Sequence, residues 1–194
     1  GSGKRPRYSV DYVRSIHPGL TRQQNRLKAR WAGRPDALRT PLEWDMRYTF
    51  INHRFKRSRG VSFEERAEVE GRRVRYFKGT EPIRSVTTTF QPAVSFGLVD
   101  AAMGLPRKKD VRHTFSLLDE FQYLAEPQIF EYRGGSKQRF GGKEMVLHQV
   151  RRQGGPQVPV YYWLTEEGLP LAVIGMCKAW FLDEVKPGRE GRQT

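Results

Sequence analysis

The sequence predicts an α+β fold, in which antiparallel strand meanders pack on one main helix and follow a long basic N-terminal arm. Three observations favour this fold: short runs of alternating apolar residues between turn signals, one strong helical stripe, and an N-terminal segment rich in arginine. The chain has 194 residues, enough for one ordinary domain with a core and an extension. We expect a basic arm at 1–42, a globular α+β domain at 43–182 and a loose C-terminal tail at 183–194.

The arm is defined by its charge. The first 60 residues contain 15 lysines and arginines but only 4 acidic residues, whereas the net charge of the whole chain is +14. Helix-forming residues predict a helix over 22–32, capped by Thr21 and ended by Gly33. Its apolar side chains, Leu27 and Trp31, are too few to build a core. Removal of the arm is therefore expected to leave the thermal stability of the domain unchanged.

The first half of the domain predicts a meander. Alternating apolar residues indicate strands near 46–56, 61–69 and 72–78, and Glu70-Gly71 is typical of a tight turn. Residues 79–92 are ambiguous between a short helix and an extended strand. The apolar run at 93–103 favours a short buried helix.

The second half contains the predicted main helix. Apolar residues at helical spacing indicate a helix over 111–125, which Pro127 ends. A second meander follows it. Its predicted strands are 128–132, 144–151, 158–164 and 169–175, and a glycine-rich loop at 133–143 joins the first two of them.

The charge points to a polyanionic partner. The sequence pI is about 10.3, which favours nucleic acid first and an anionic membrane surface second. Basic clusters at 56–59, 107–109 and 133–143 all fall in predicted connections, where a scaffold presents its contacts. With the arm, they give a predicted set of RNA-binding residues. These are Lys4, Arg5, Arg7, Arg22, Arg26, Arg30, Arg34, Arg54, Lys56, Arg57, Arg59, Arg107, Lys108, Lys109, Arg133, Lys137, Arg139 and Lys143.

Catalytic and metal-binding patterns are lacking in the sequence. The four histidines show no H-x-x-x-H spacing, and Cys177 is the single cysteine, which excludes an intrachain disulfide. We predict no catalytic residue, no metal site and no cofactor. The longest apolar run, 169–182, contains Lys178 and is too short for a membrane span.

The overall plan resembles that of a mitochondrial ribosomal protein, in which a small α+β body carries a long arginine-rich extension. The resemblance implies a structural, non-catalytic role on rRNA, beside neighbouring ribosomal or assembly proteins, in the mitochondrial matrix; a cytoplasmic location is the alternative. A second, local likeness involves GRRVRYFKG at 71–79 and TFSLL at 114–118, which resemble the cytosolic domain of an accessory subunit of the Sec translocon. It implies the competing function, a protein–protein adaptor in a membrane-associated assembly.

Overall fold

Thirteen strands, one short 3₁₀ turn and one short α-helix make up the described part of a computed structural model of the chain. The structure describes residues 7–16, 23–34, 36–51, 63–118, 123–140, 142–154, 158–175 and 178–181. The fold is therefore mostly β, and the expected α+β packing on one main helix is wrong. The C-terminal tail predicted at 183–194 and the basic hairpin tip predicted at 56–59 lie outside the described residues.

Sheet A is a six-stranded antiparallel meander in which each strand pairs with the next one in the chain. Its strands are β1 (Arg7–Ile16), β2 (Gln23–Gly33), β3 (Pro41–Ile51), β4 (Phe63–Glu70), β5 (Arg73–Lys78) and β6 (Glu81–Thr87). The predicted strands at 61–69 and 72–78 are confirmed as β4 and β5. Gly71 in the turn between them has a φ of 61°, which glycine adopts without the steric cost of a side chain.

Sheet B has seven strands, in the spatial order β13-β12-β11-β10-β9-β8-β7. They are β7 (Gln91–Val94), β8 (Arg112–Leu118), β9 (Leu124–Phe140), β10 (Lys143–Gln153), β11 (Val160–Leu164), β12 (Pro170–Gly175) and β13 (Lys178–Phe181). Strands β7 and β8 are parallel, and the other neighbouring pairs are antiparallel. A 3₁₀ turn (Ser95–Gly97) and helix α1 (Leu98–Gly104) connect the parallel pair, near the short helix expected at 93–103.

Both longer helix predictions are wrong. Residues 23–33 form strand β2, where buried Leu27, Ala29 and Trp31 alternate with exposed basic residues. The predicted helix 111–125 is instead strand β8 and the start of β9. In both segments, pairing with neighbouring strands outweighed a local helical preference that is weak in energy.

The inner face of sheet A forms the first core. Trp31 and Trp44 lie 2% exposed, and their indole rings pack edge-on against Phe96 of the 3₁₀ turn, with centroids 5.4 and 6.5 Å away. Tyr76 of β5 packs against Trp44 in the same way at 5.9 Å. Because Trp31 lies at the centre of this cluster, β2 is part of the core and not of a separate arm.

Helix α1 and one face of sheet B form the second core. Phe130 of β9 is fully buried, stacks on Phe115 at 5.0 Å and meets Tyr162 edge-on at 5.5 Å. Leu98 and Ala101 of α1 belong to the same apolar cluster. The α-helix is therefore a cover over sheet B and not the central element of the fold.

The β2–β3 loop fastens the two sheets together. The side-chain amide of Gln91, at the start of β7, donates to Asp36 Oδ2 at 2.9 Å and also to the hydroxyl of Thr40. Thr40 N donates to Asp36 Oδ1 at 2.9 Å. Leu38, between these two residues, is 5% exposed and belongs to the core of sheet B. Residues on both sides of position 42 thus belong to the same packed unit.

Candidate nucleic-acid interface

Strands β9 and β10 extend beyond their neighbours as a two-stranded ribbon. The β8–β9 pairing reaches only to Arg112 opposite Glu131, and the β10–β11 pairing reaches only to His148 opposite Leu164. Further out, residues 136–140 pair with residues 143–147 alone among the described strands. This segment, which we call the basic ribbon, replaces the glycine-rich loop that the sequence predicted at 133–143.

The basic ribbon presents its cations to solvent. Lys137, Arg139 and Lys143 are all exposed. Lys137 approaches Glu144 across the ribbon with an N–O distance of 3.8 Å, and both side chains are more than two-thirds exposed. An ion pair so open to water contributes little stability, so it does not hold the lysine away from another partner.

A β-bulge lies at the base of the ribbon. Gln149 pairs with Gly134 and Val150 pairs with Tyr132, so Arg133 is the extra residue on β9. Gly134 has a φ of 119°, which disfavours a residue with a side chain. Bulges of this kind increase local twist and bend the strand, which redirects the chain as it leaves the sheet.

The second basic segment, 107–109, lies beside this base. Arg107 donates from its guanidinium to the carbonyl oxygens of Glu166 at 2.6 Å and Thr165 at 3.3 Å, which fixes the loop to the β11–β12 turn. The Lys109 side chain lies against Gly134, where a Cβ would approach Lys109 Cε to 3.3 Å. The structure thus brings the predicted clusters 107–109 and 133–143 to one end of sheet B.

Arg133 has a structural partner. Glu131 is 8% exposed and accepts hydrogen bonds from Arg133 and Arg151, each at 2.7 Å. The bond from Arg151 is the largest effect on the Glu131 carboxyl; burial opposes it, and the bond from Arg133 and the charges of both arginines add to it, so that the pKa of Glu131 is lowered. Of the residues predicted to contact RNA, Arg133 therefore serves first to satisfy a buried carboxylate.

The Glu131 cluster predicts a loss of stability in acid. A carboxyl whose pKa is lower in the folded than in the unfolded state stabilises the fold above the unfolded value, and this contribution disappears as the pH falls through the folded value. Urea unfolding of the wild type between about pH 5 and pH 2 should show the free energy of unfolding falling with pH. Glu131→Gln should reduce the slope of the free energy of unfolding against pH. The exposed Glu144→Gln is the matched control and should keep the wild-type slope. Equal slopes for all three proteins would contradict the assignment.

Histidine 148 lies at the base of the ribbon and is paired. Its Nδ1 is 2.7 Å from the Tyr132 hydroxyl. Burial, followed by the positive charge of Arg107, lowers the pKa of the His148 imidazole. The ring is therefore neutral near neutral pH and does not add a cation to the interface.

Arg26 and Arg30 lie on the outer face of sheet A, opposite its aromatic core. Both are exposed, and Lys28 lies between them on the same face because β2 is a strand. A helical interpretation separates Lys28 from the two arginines, so the sequence analysis missed it. The signal was present: bases at 26, 28 and 30 alternate with apolar residues at 27, 29 and 31. Arg34 is also exposed, just after β2 ends.

Several predicted RNA-binding residues cannot be placed. Arg7 begins β1 opposite Ala32, and only its backbone is described. Seven others lie outside the described residues. These are Lys4, Arg5, Arg22, Arg54, Lys56, Arg57 and Arg59.

The described residues hold neither a metal cluster nor a membrane-spanning helix. They contain no group of three or more histidine, cysteine or acidic side chains placed to hold a metal ion. Among the same residues, no helix has both the length and the apolar character needed to cross a membrane.

No protein-family model matches the chain, and no curated protein or solved structure shows significant similarity to it.

Proposed function

We propose that this protein is a structural RNA-binding protein that contacts phosphates through the basic ribbon and the loop at its base. One observation carries the proposal: two basic segments far apart in sequence, 107–109 and 133–143, meet at the same end of sheet B. Concentrated positive charge on exposed, flexible side chains is the usual electrostatic footprint of a nucleic-acid partner.

The shape of the ribbon favours contact with the backbone over base reading. The major groove of an A-form RNA helix is too deep and narrow for side chains to read. Lysine and arginine on a projecting ribbon can instead reach phosphates along the outside of a duplex. Binding should therefore depend strongly on salt and weakly on sequence, because each neutralised phosphate releases counterions.

Substitution of the ribbon cations tests this function. In K137Q/R139Q/K143Q, the slope of log K against log salt on an RNA duplex of about 16 base pairs should fall by roughly 2 to 3, at about 0.9 per lost contact. Affinity in about 0.15 M salt should fall on the order of 100-fold, because each lost contact forfeits its share of counterion release. Fluorescence anisotropy of labelled duplex measures both quantities.

The matched control removes the same charge from β5, β6 and the turn that precedes β5. The variant R72Q/R73Q/R84Q changes three exposed arginines and should keep the wild-type slope. Equal losses of duplex affinity in both variants would mean that only the total charge of the protein matters. Unchanged duplex affinity in both variants would contradict RNA binding by the ribbon.

We further propose that the protein is a component of a ribonucleoprotein particle. A non-catalytic, phosphate-binding protein suits an organellar ribosome or its assembly intermediate in the mitochondrial matrix, or a cytoplasmic ribonucleoprotein as the alternative. Native protein should co-sediment with ribosomal particles in a sucrose gradient, and ribonuclease should release it. Flotation with anionic vesicles that ribonuclease does not affect would instead indicate a membrane-associated adaptor.

A further inference from the structure

A broad groove crosses the outer face of sheet A, far in sequence from the basic ribbon. Its volume is about 1020 Å³, and its floor is formed by residues of β2, β3 and β4. Phe77 and Lys78 at the end of β5 and Ile83 of β6 line its side. Ile83 is 55% exposed, so a large aliphatic side chain borders the groove with about half of its surface open to solvent.

Positive charge dominates the lining. Five basic side chains line the groove, whereas its exposed acids are Asp45 and Glu64. The basic residues are Lys28, Arg30, Arg47, Arg66 and Lys78. Glu64 forms an ion pair with Arg47. A third acid, Glu65, belongs to the opposite face, where its carboxylate is 6% exposed and accepts a bond from the Trp44 indole at 2.8 Å.

Strand pairing arranges these groups in rows across the sheet. Arg30, Asp45, Arg66 and Phe77 are successive partners on β2, β3, β4 and β5. The Arg66 guanidinium carbon lies 5.4 Å from the centre of the Phe77 ring. An arginine that lies over a phenyl ring offers the flat, polarisable surface on which unpaired bases stack.

A second hollow continues the groove along β2 and β3. It measures about 200 Å³ and is lined by Arg26, Lys28, Arg47 and Thr49. Three cations and one hydroxyl around so small a space match the charge and hydrogen-bonding needs of a phosphate group. Lys28 and Arg47 line both hollows, so the two form one path across the sheet.

We propose that this groove binds a single-stranded RNA segment, with phosphates at Arg26, Lys28 and Arg47 and a base stacked at Arg66 and Phe77. The proposal rests on the RNA-binding function proposed above and adds a second contact of different chemistry. The ribbon holds duplex backbone, and the groove holds unpaired nucleotides, so the natural partner is an RNA with both. Exposed sheet faces with aromatic side chains are a recurrent solution for binding unpaired bases.

The test uses full-length protein and two labelled probes, a single-stranded oligouridine of about eight nucleotides and an RNA duplex of about 16 base pairs. Phe77→Ala should weaken oligouridine binding by about 5- to 100-fold and leave duplex binding unchanged, since stacking acts on unpaired bases. Tyr123→Ala, at an aromatic side chain outside the groove that is 61% exposed, is the control and should change neither the oligouridine nor the duplex affinity.

A charge variant tests the groove without changing its aromatic side chain. R26Q/K28Q/R47Q should reduce the salt slope on oligouridine by about 2, at roughly 0.7 per phosphate contact on a single strand. Thermal unfolding of both variants should remain cooperative, because the groove lies on the exposed face of the sheet.

The outcomes separate the groove from the ribbon. If both groove variants bind oligouridine as tightly as the wild type, the groove does not bind single-stranded RNA. The loss of duplex affinity in the ribbon variant would still support the proposed function of the basic ribbon. Loss of duplex binding in the ribbon variant, together with loss of oligouridine binding in the groove variants, supports both sites. If an unlabelled oligoglutamate peptide displaces the labelled oligouridine as well as unlabelled oligouridine does, the groove is not specific for RNA and the proposed occupant is wrong.

Discussion

Deletion of residues 1–42 is expected to abolish cooperative folding of the whole chain. The deletion removes β1, β2 and the loop that fastens sheet A to β7, and it leaves β3 as an unpaired edge. It also removes Leu27, Trp31 and Leu38, which are at most 5% exposed. Losing these three buried side chains costs on the order of 10 kcal/mol, which is comparable to the roughly 5 to 15 kcal/mol of stability that a typical domain has.

Circular dichroism and thermal unfolding of residues 43–194 measure this effect. The truncated chain should lack a cooperative transition or should aggregate, since the backbone edge of β3 and the apolar cluster that β2 covers become exposed. A sharp transition near that of the full chain would instead support the free arm that the sequence predicted. RNA binding is not a usable measurement here, because an unfolded basic chain still binds polyanions through its charge.

A single substitution in β2 should have the second largest effect. Trp31→Ala is expected to lower the free energy of unfolding by about 3 to 5 kcal/mol, because it empties a site that is 2% exposed and loses the edge contact with Phe96. Arg30→Ala, at the next position but on the outer face, should change it by less than about 0.5 kcal/mol.

Urea unfolding of the two variants distinguishes a strand packed in the core from a solvated helix. A difference of several kcal/mol between adjacent positions requires the alternation that β2 shows. Small changes in the free energy of unfolding in both Trp31→Ala and Arg30→Ala would contradict the placement of β2 in the core. A large effect of Arg30→Ala would contradict the orientation of its faces.

The sequence predicted the strands well where the alternation was bounded by turns. Strands β4 and β5, joined at Gly71, lie close to their predicted positions because a glycine with positive φ and a period of two act locally. The sequence could not distinguish helix from strand over 22–32 and 112–118. Both segments contain residues with reasonable helix propensity, and the energy differences of local propensity are smaller than those of burial.

The sequence predicted which basic residues form the candidate interface, but not how they are arranged in space. The basic residues at 107–109 and 133–143 could be identified from the sequence, and so could their charge. That Lys109 lies against Gly134, and that residues 136–140 and 143–147 project as a ribbon, follows from the bulge and from the shorter lengths of β8 and β11. The groove on sheet A was missed, because Lys28 joins Arg26 and Arg30 only in a strand, and Arg66 meets Phe77 only across two strands.

The sequence by itself determined the charge of this protein, the residue types at its interface and the turns whose backbone requires glycine. These are properties of single residues or of close neighbours in the chain. The tertiary structure alone decided that the basic N-terminal segment from β1 onward is a part of sheet A, and that Arg26, Lys28 and Arg30 of β2 face outward while Leu27 and Trp31 face the core. The physical reason is that burial and strand pairing are gained only between distant segments, and these gains exceed the local preferences that a sequence displays.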